Sequence, residues 1–400
     1  MSGVGPRPRT RNAFVVALGR EIAWLARSPW DLALLTIAPL LTLVVLGAMF
    51  IQGSARDLPI AVVDADHSPI SRQLVRNLRA SAQVQVVAEP DQLEQAWTMA
   101  RQTKVWAVVL IPEGLQRDVL AGRQGQISLY QNASFYSVGA LAGRGVDAAV
   151  SALQQQVLPE LARAHNVPAA LRVQVPRIQA TMLFNPQLSY EWFLEALLQP
   201  GILHVLLSCA VAVAMGRAMK ADGQAAGRGF GANTLALAGM LAPYVVAFTA
   251  WQMAGTAWLC GWRGWGVHGS LAMLLAGQVA LYACYAAIAA VVALLLRDTY
   301  TTLSAVALYG GPAMTFSDAT LPVLGAPVFT QVWSQVLPFS HYVRLQMEQM
   351  FMGAPAADSL PSLGVLVGVA LGMFVLAAGL LCRRPVGATG PAPSSAGEPS

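Results

Sequence analysis

Apolar runs long enough to cross a bilayer, interrupted by one long polar stretch, limit the folds open to this chain. Leu32 to Phe50 contains no charged residue, and several more apolar runs follow between Phe193 and Leu381. A transmembrane helix needs about 20 mainly apolar residues. Only 11% of all residues are charged, whereas a typical soluble domain has about a quarter. The sequence therefore predicts a polytopic α-helical membrane protein that carries one large domain outside the membrane.

We predict six transmembrane helices. They are residues 31–51, then about Phe193–Met215, Thr234–Leu259, Ser270–Leu296, Tyr300–Phe316 and Leu360–Leu381. Gly53-Ser54-Ala55 resembles a signal-peptidase site, but the first run is too long and starts too late for a typical signal peptide, so we predict an uncleaved span. Residues 191–382 thus hold spans two to six, with a less apolar segment, 320–357, on the outer surface or partly embedded.

The charges at the chain ends predict the orientation of the spans. Arg7, Arg9 and Arg11 precede the first span, and Arg383-Arg384 follow the last. The positive-inside rule therefore places both termini in the cytoplasm. Residues 1–30 are predicted to be a cytoplasmic N-terminus with a helix that either lies on the membrane surface or leads into the first span. Residues 383–400 are rich in Pro, Gly, Ser and Ala and are predicted to be disordered.

Residues 52–190 are predicted to form an extracytoplasmic α/β domain, because strand-like and helix-like patterns alternate there. The predicted strands are 58–63, 84–87, 105–111, 127–130 and 173–178, and the predicted helices are 70–80, 91–101 and 137–161. Asp64, Asp66 and Ser68 follow the first strand. They could be drawn as a cation site, but helix capping and turn formation explain them better.

Motifs for catalysis are missing from the sequence. It has no GxxxxGK[ST] phosphate loop, no GxSxG and no HExxH, so ATP hydrolysis by the phosphate-loop route is excluded. The four cysteines lack the spacing of a zinc site. We therefore predict no catalytic residues, no metal and no cofactor in this chain. His204 lies in an apolar run, where a hydrogen-bonded structural role is favoured over a metal or proton site.

Charged residues at the edges of spans are candidates for the transport path, because their burial in a membrane is costly. Glu195 lies near the start of the second span, and Asp318 lies just past the fifth. Lining a pathway and lying at the membrane interface explain them equally well. His341, in the segment 320–357, is a third candidate for the pathway or an outer gate.

Four stretches resemble the permease subunits of ABC-2 type transporters, in the branch with a large extracytoplasmic domain between the first two spans. They occur in the family's order and span nearly the whole chain except the tail. They are Pro59-Ile-Ala-Val-Val-Asp64 with Asp66-His-Ser-Pro69; Val108-Val-Leu-Ile-Pro112 with Gly114 and Leu120-Ala-Gly122; Phe184-Asn185-Pro186 before Trp192-Phe193 and Pro200-Gly201; and Leu337-Pro-Phe-Ser-His-Tyr342 with Gly353.

The resemblance implies an export function. Such permeases form dimers, with a second copy or a paralogue, and separate ABC ATP-binding subunits drive them, so ATP is expected on the partner and not on this chain. By analogy, the ATPase is expected to dock on Arg217, Lys220 and Arg228 and on the N-terminal helix. Members with this outer domain often work with a periplasmic adaptor and an outer-membrane channel, which implies a bacterial inner membrane.

Two other functions compete with export. The chain could be a membrane receptor or scaffold whose outer α/β domain binds a ligand without transport, but such a protein is expected to carry a cytoplasmic output domain, and we identify none. A membrane enzyme is disfavoured because the spans lack clustered polar groups. A neighbouring gene for an ABC ATPase would distinguish the exporter from the receptor.

Overall fold

The computed structural model describes residues 11–50, 56–121, 123, 125–131, 136–157, 189, 191–221, 230–317 and 326–382. The chain divides into two compact units. The first, which we call the helical unit, comprises Met1–Ile51 and Leu183–Ser400. The second, the α/β unit, comprises Gln52–Met182.

The α/β unit contains four strands and four helices among its described residues. In chain order they are β1 (Leu58–Asp64), α4 (Pro69–Arg79), β2 (Val84–Ala88), α5 (Leu93–Arg101), β3 (Ala107–Ile111), α6 (Leu115–Leu120), β4 (Ser128–Gln131) and α7 (Tyr136–Ala152), with helices α1 to α3 preceding them in the helical unit. The strand order is β2-β1-β3-β4. Strands β1, β2 and β3 are parallel, and β4 pairs antiparallel to β3.

Strand β1 is buried on both faces, which explains its continuous apolar sequence. Ile60 and Val62 belong to one apolar cluster with α4 and α7. Ala61 and Val63 point the other way and belong to a second cluster, which includes Ala96 of α5. The unit therefore has a core on each side of its sheet.

The strands and helices predicted for residues 58–131 are confirmed to within about two residues, as is usual for element boundaries. The predicted long helix, 137–161, is helical from Tyr136 to Val157, first as α7 and then as a π-helical turn, Leu153–Val157, and residues 158–161 lie outside the described residues. The predicted strand 173–178 lies outside the described residues.

The acidic turn after β1 caps helices, as the sequence analysis favoured. Asp64 accepts hydrogen bonds from the backbone N–H groups of Asp66 and His67 and from the Ser71 hydroxyl. Ser68 forms a capping box with Ser71 at the start of α4. Asp66 accepts hydrogen bonds from the N–H of Gly114 (2.8 Å) and of Gln116 (3.1 Å), where α6 begins.

The helical unit is built from ten helices in the part of the chain that the structure describes. They are α1 (Arg11–Leu25), α2 (Pro29–Leu35), α3 (Ile37–Phe50), α8 (Ala196–Ala221), α9 (Phe230–Ala257), α10 (Leu271–Leu296), α11 (Thr299–Gly310), α12 (Val328–Val336), α13 (Pro338–Gln346) and α14 (Leu360–Cys382). A π-helical turn, Glu191–Glu195, precedes α8, and others extend α9 to Trp262 and α13 to Met352.

Five helical stretches among the described residues are long and apolar enough to cross a membrane. They are Pro29–Phe50, Glu191–Lys220, Phe230–Trp262, Leu271–Leu296 and Ala356–Cys382. The fifth predicted span, Tyr300–Phe316, differs from this group. There the chain forms the 12-residue helix α11 and then a four-residue 3-10 turn that includes Pro312. The prediction of six spans is therefore not confirmed, because this stretch is too short a helix to qualify.

Two prolines free backbone carbonyls inside long helices, and side chains of other helices bond to them. Pro39 cannot donate to the carbonyl of Leu35, and the helix breaks at Thr36. The Trp251 indole N–H of α9 donates to that Leu35 carbonyl at 3.0 Å. Pro200 likewise frees the Ala196 carbonyl, to which Gln346 of α13 donates at 2.7 Å. These bonds satisfy polar groups that lipid cannot and join neighbouring helices.

The segment predicted to lie on the outer surface or partly embedded is largely helical and packs into the helical unit. Helices α12 and α13 meet at Leu337, which is fully buried with Phe339 and Tyr342. These three residues belong to the main apolar cluster of the unit. Gln349, further along, accepts a hydrogen bond from the N–H of Ser270 at the start of α10.

Candidate functional site

Arg217 lies within a helix, two residues past the predicted end of the second span at Met215. Helix α8 continues past Met215 to Ala221, so Arg217 and Lys220 occupy its last turns. Alanine, methionine and lysine favour the helix there, and the charge of Arg217 is neutralised by partners from other helices. Lys220 is exposed, and Arg228 lies outside the described residues.

The Arg217 guanidinium joins the N-terminal helices to the end of α8. One of its nitrogens donates to Glu21 of α1, and another donates to Asp31 of α2 at 2.6 Å. The Tyr244 hydroxyl of α9 donates to the same Glu21 carboxylate at 2.6 Å. The Trp24 indole donates to Asp31, and the guanidinium carbon lies 4.7 Å from the centre of the Trp24 ring. We call these five residues the Arg217 network.

The ion pairs of the Arg217 network are shielded from solvent. The side chains of Arg217, Glu21 and Asp31 are 18%, 8% and 16% exposed. Arginine suits this place because its planar fork can hold two carboxylates and lie against an aromatic ring at once. Removing Arg217 would leave buried carboxylates without their charged partner, which is strongly destabilising.

Helix α1 packs closely on α9 beside this network. A Cβ atom at Gly239 would lie 2.3 Å from the backbone oxygen of Phe14, so only glycine permits this approach. Glu21 is buried, whereas Val15, Val16 and Ile22 are exposed. Apolar side chains on the outer face of α1 and a carboxylate on its inner face are expected of a helix whose outer face contacts lipid.

At the opposite end of α8, a second group of charged residues lies where the helix begins. Arg263 donates to Glu191 through two nitrogens, and Trp265 donates to the same carboxylate at 3.3 Å. The rings of Trp192 and Trp265 stack with their centres 5.2 Å apart. Glu191 is buried, so its charge is held by Arg263 and by an aromatic cover.

Glu195 is fully buried one turn further along. One of its carboxylate oxygens accepts a hydrogen bond from the Gln199 side chain at 3.0 Å. The structure thus places this candidate inside the helical unit. Other buried polar side chains of the unit pair with each other: Gln278 of α10 donates to Thr256 of α9 at 3.2 Å, and Tyr282 of α10 donates to Gln252 of α9 at 3.0 Å.

The remaining histidine and aspartate candidates from the sequence are His341, His204 and Asp318. Ring nitrogen Nε2 of His341 lies 2.9 Å from the carbonyl of Gln335, at the corner between α12 and α13. Asp318 lies outside the described residues. His204 is buried, and its Nδ1 lies 2.9 Å from the carbonyl of Pro200. Its ring packs against Tyr285, with ring centres 4.2 Å apart. This geometry agrees with the structural role favoured for His204.

Among the described residues, no group of three or more His, Cys, Asp or Glu side chains is placed to hold a metal ion. The described helices offer buried carboxylates, amides and aromatic rings as groups that can recognise a ligand.

Sequence reasoning missed Asp31 and the partnership of Glu21 with Arg217. The signal was a carboxylate among the mainly apolar residues of the N-terminal helix, because a charge there needs a partner if it is buried. The partner could not be chosen from the sequence, since Glu21 and Arg217 are 196 residues apart.

The long apolar helices define a multi-pass membrane protein, which also carries a mixed sheet in a separate unit. The family model of ABC-2 family transporter proteins matches residues 29–378. The match covers most of the chain, which therefore belongs to this family and is a component of membrane transport. No curated protein and no solved structure matches the chain.

Proposed function

We propose that this chain is the permease subunit of an ABC-2 type export system and that a separate ATP-binding subunit drives it. Family membership over residues 29–378 supports a permease role. The observation that carries the proposal is the Arg217 network, which fastens α1 and α2 to the end of α8. A movement of α1 and α2 caused by the ATPase would therefore be transmitted directly to the long apolar helix α8.

In this proposal two permease chains form the translocation path, and the pair lies in a bacterial inner membrane. The α/β unit lies on the periplasmic side, where an adaptor and an outer-membrane channel can join the assembly. Glu195, Asp318 and His341 belong to the side of the path nearest that compartment. The Arg217 end lies in the cytoplasm, where Lys220 and Arg228 contact the ATPase.

The proposal is tested by purification and transport. The chain is expected to co-purify with an ABC ATPase encoded next to it, and the pair is expected to export substrate in an ATP-dependent way. A Walker-type lysine variant of the ATPase serves as the inactive control. A chain that binds no such ATPase, and whose deletion changes no efflux, would be a receptor or scaffold instead.

Lys220→Glu is expected to weaken ATPase co-purification by roughly tenfold or more, because like charges across an interface are strongly unfavourable. Lys220 is exposed on the last turn of α8, close enough to act electrostatically on Asp298 at the start of α11. Lys104→Glu is the matched control, since Lys104 is exposed and is the only other lysine of the chain. Equal recovery of the ATPase with both variants would exclude Lys220 from docking.

We also propose that α11 and its 3-10 turn complete a sixth crossing. Together they rise about 26 Å, close to the hydrocarbon thickness of about 30 Å, and local thinning of the bilayer can supply the difference. Fluorescent proteins fused to either terminus are then expected to be fluorescent, because both termini lie in the cytoplasm. Alkaline phosphatase fused after residue 121 is expected to be active outside. Termini on opposite sides would leave five spans.

A further inference from the structure

Several buried side-chain oxygens of the helical unit have no hydrogen-bond partner among the described residues, and three of them belong to side chains close to the start of α8. One is the second carboxylate oxygen of Glu195, and the others are the amide oxygens of Gln199 and Gln346. Glu195, Gln199 and Gln346 are 0%, 1% and 3% exposed. A buried acceptor without a donor is costly, so three in one region indicate a missing donor.

The three side chains are held in place by their other atoms. Gln199 donates its amide to Glu195, and Gln346 donates its amide to the carbonyl of Ala196, the residue after Glu195. In both amides the NH2 group therefore donates a hydrogen bond, while the amide oxygen has no donor among the described residues. At Gly255 a Cβ atom would lie 2.4 Å from the Gln199 amide oxygen, so the glycine of α9 leaves room for this amide.

The charge of this region favours a cationic partner. Two carboxylates, Glu191 and Glu195, lie near one guanidinium, that of Arg263. Arg263 forms an ion pair with Glu191, to which it donates through two nitrogens. Glu195 accepts a hydrogen bond from the neutral Gln199 amide instead, and its second carboxylate oxygen has no partner among the described residues.

The neighbouring side chains favour an organic cation over a metal ion. Ala196 packs in one cluster with Trp192, Phe351 and Met350. The ring centres of Trp192 and Phe351 lie 4.3 Å apart. This cluster, beside the residue that follows Glu195, supplies an apolar wall for the organic part of a ligand, and among the described residues no group of three or more His, Cys, Asp or Glu side chains is placed there to hold a metal ion.

We propose that Glu195, Gln199 and Gln346 form a binding site for a primary or secondary ammonium group of the exported molecule, next to an apolar aromatic wall. Glu195 supplies the charge, and the two amide oxygens accept the N–H groups. The inference deepens the proposed export function and rests on it. It narrows the substrate class to amphiphilic amines.

The test uses the chain with its ATPase in lipid nanodiscs and three matched probes: 4-phenylbutylammonium, 4-phenylbutyltrimethylammonium and 4-phenylbutanol. Binding is measured by equilibrium dialysis. The ammonium probe is expected to bind best. The trimethylammonium probe, which has no N–H groups, is expected to bind roughly tenfold or more weakly, and so is the ammonium probe to Glu195→Gln. Thr249→Val, which removes another buried oxygen of α9 that lacks a partner among the described residues, is expected to bind normally.

Two results would overturn the site: equal binding of the two cations, or unchanged binding by Glu195→Gln. Thermal unfolding and ATPase co-purification of Glu195→Gln show whether the variant is folded. Failure of the site is distinct from failure of the export function. Binding to the permease chain alone, lost in Glu195→Gln but without any ATP-dependent transport, would keep the site and reject export. ATP-dependent export that Glu195→Gln leaves unchanged would support the export function and reject the binding site.

Discussion

Replacing Arg217 by alanine is expected to destabilise the helical unit by about 3 to 5 kcal/mol, because the buried carboxylate of Glu21 loses its charged partner. Asp31 loses the same guanidinium, and the Trp24 ring loses the cation that lies over it. Thermal unfolding of the purified chain measures the loss. Arg27→Ala is the matched control, since Arg27 is an exposed arginine close to the start of α2.

The same substitution is expected to separate ATP hydrolysis from export. Arg217 joins helices α1 and α2 to α8. Without this side chain, a movement of α1 and α2 would be transmitted to α8 only in part. Variants along such a connection change coupling by about 0.5 to 2 kcal/mol, which is roughly a 2- to 30-fold change in export per ATP. The measurement compares ATP hydrolysis and efflux in the same proteoliposomes.

Two milder variants distinguish uncoupling from unfolding. Tyr244→Phe removes one hydroxyl that donates to Glu21 and leaves the ion pairs in place, so it is expected to cost about 1 kcal/mol and little coupling. Arg217→Lys keeps the charge but loses the fork that reaches two carboxylates, so it is expected to fall between wild type and alanine. If Arg217→Ala exported normally for each ATP consumed, the network would be a purely structural feature.

Local patterns were sufficient to predict most elements of this protein. Strand β1 was predicted from an apolar β-branched run, and α4 was predicted from helical spacing after a capping sequence. The long apolar helices were predicted from length and hydropathy alone. These features depend on residues that are close in the sequence, so their physical causes can be read there.

Features that depend on distant partners could not be predicted. The end of α8 was placed too early because an arginine normally ends a span, whereas Arg217 is neutralised by Glu21 and Asp31. The carbonyl freed by Pro200 could be anticipated, but its donor, Gln346, is 150 residues away. Glu195 was singled out by its charge, and the predicted helix places Gln199 one turn after it, but only the fold shows that Gln346 lies nearby.

The α/β unit should be removable without loss of the ATPase partner. Each face of its sheet has an apolar cluster made of residues of the unit itself, and the unit forms a separate compact part of the chain. The Arg217 network and Lys220 belong entirely to the helical unit. Replacing residues 56–182 by a flexible Gly/Ser linker is therefore expected to leave ATPase co-purification within about twofold of wild type, as expected for independent sites.

Export by this deletion variant is expected to be abolished, because we propose that the α/β unit receives exported substrate or docks an adaptor on the far side of the membrane. ATP-dependent efflux from cells measures the loss. Arg79→Ala is the control within the unit, since it removes only an exposed ion pair with Glu89 and such pairs contribute little. Full export by the deletion variant would show that the unit is dispensable and that the helical unit alone completes transport. Loss of the ATPase as well would show instead that the helical unit needs the α/β unit in order to fold.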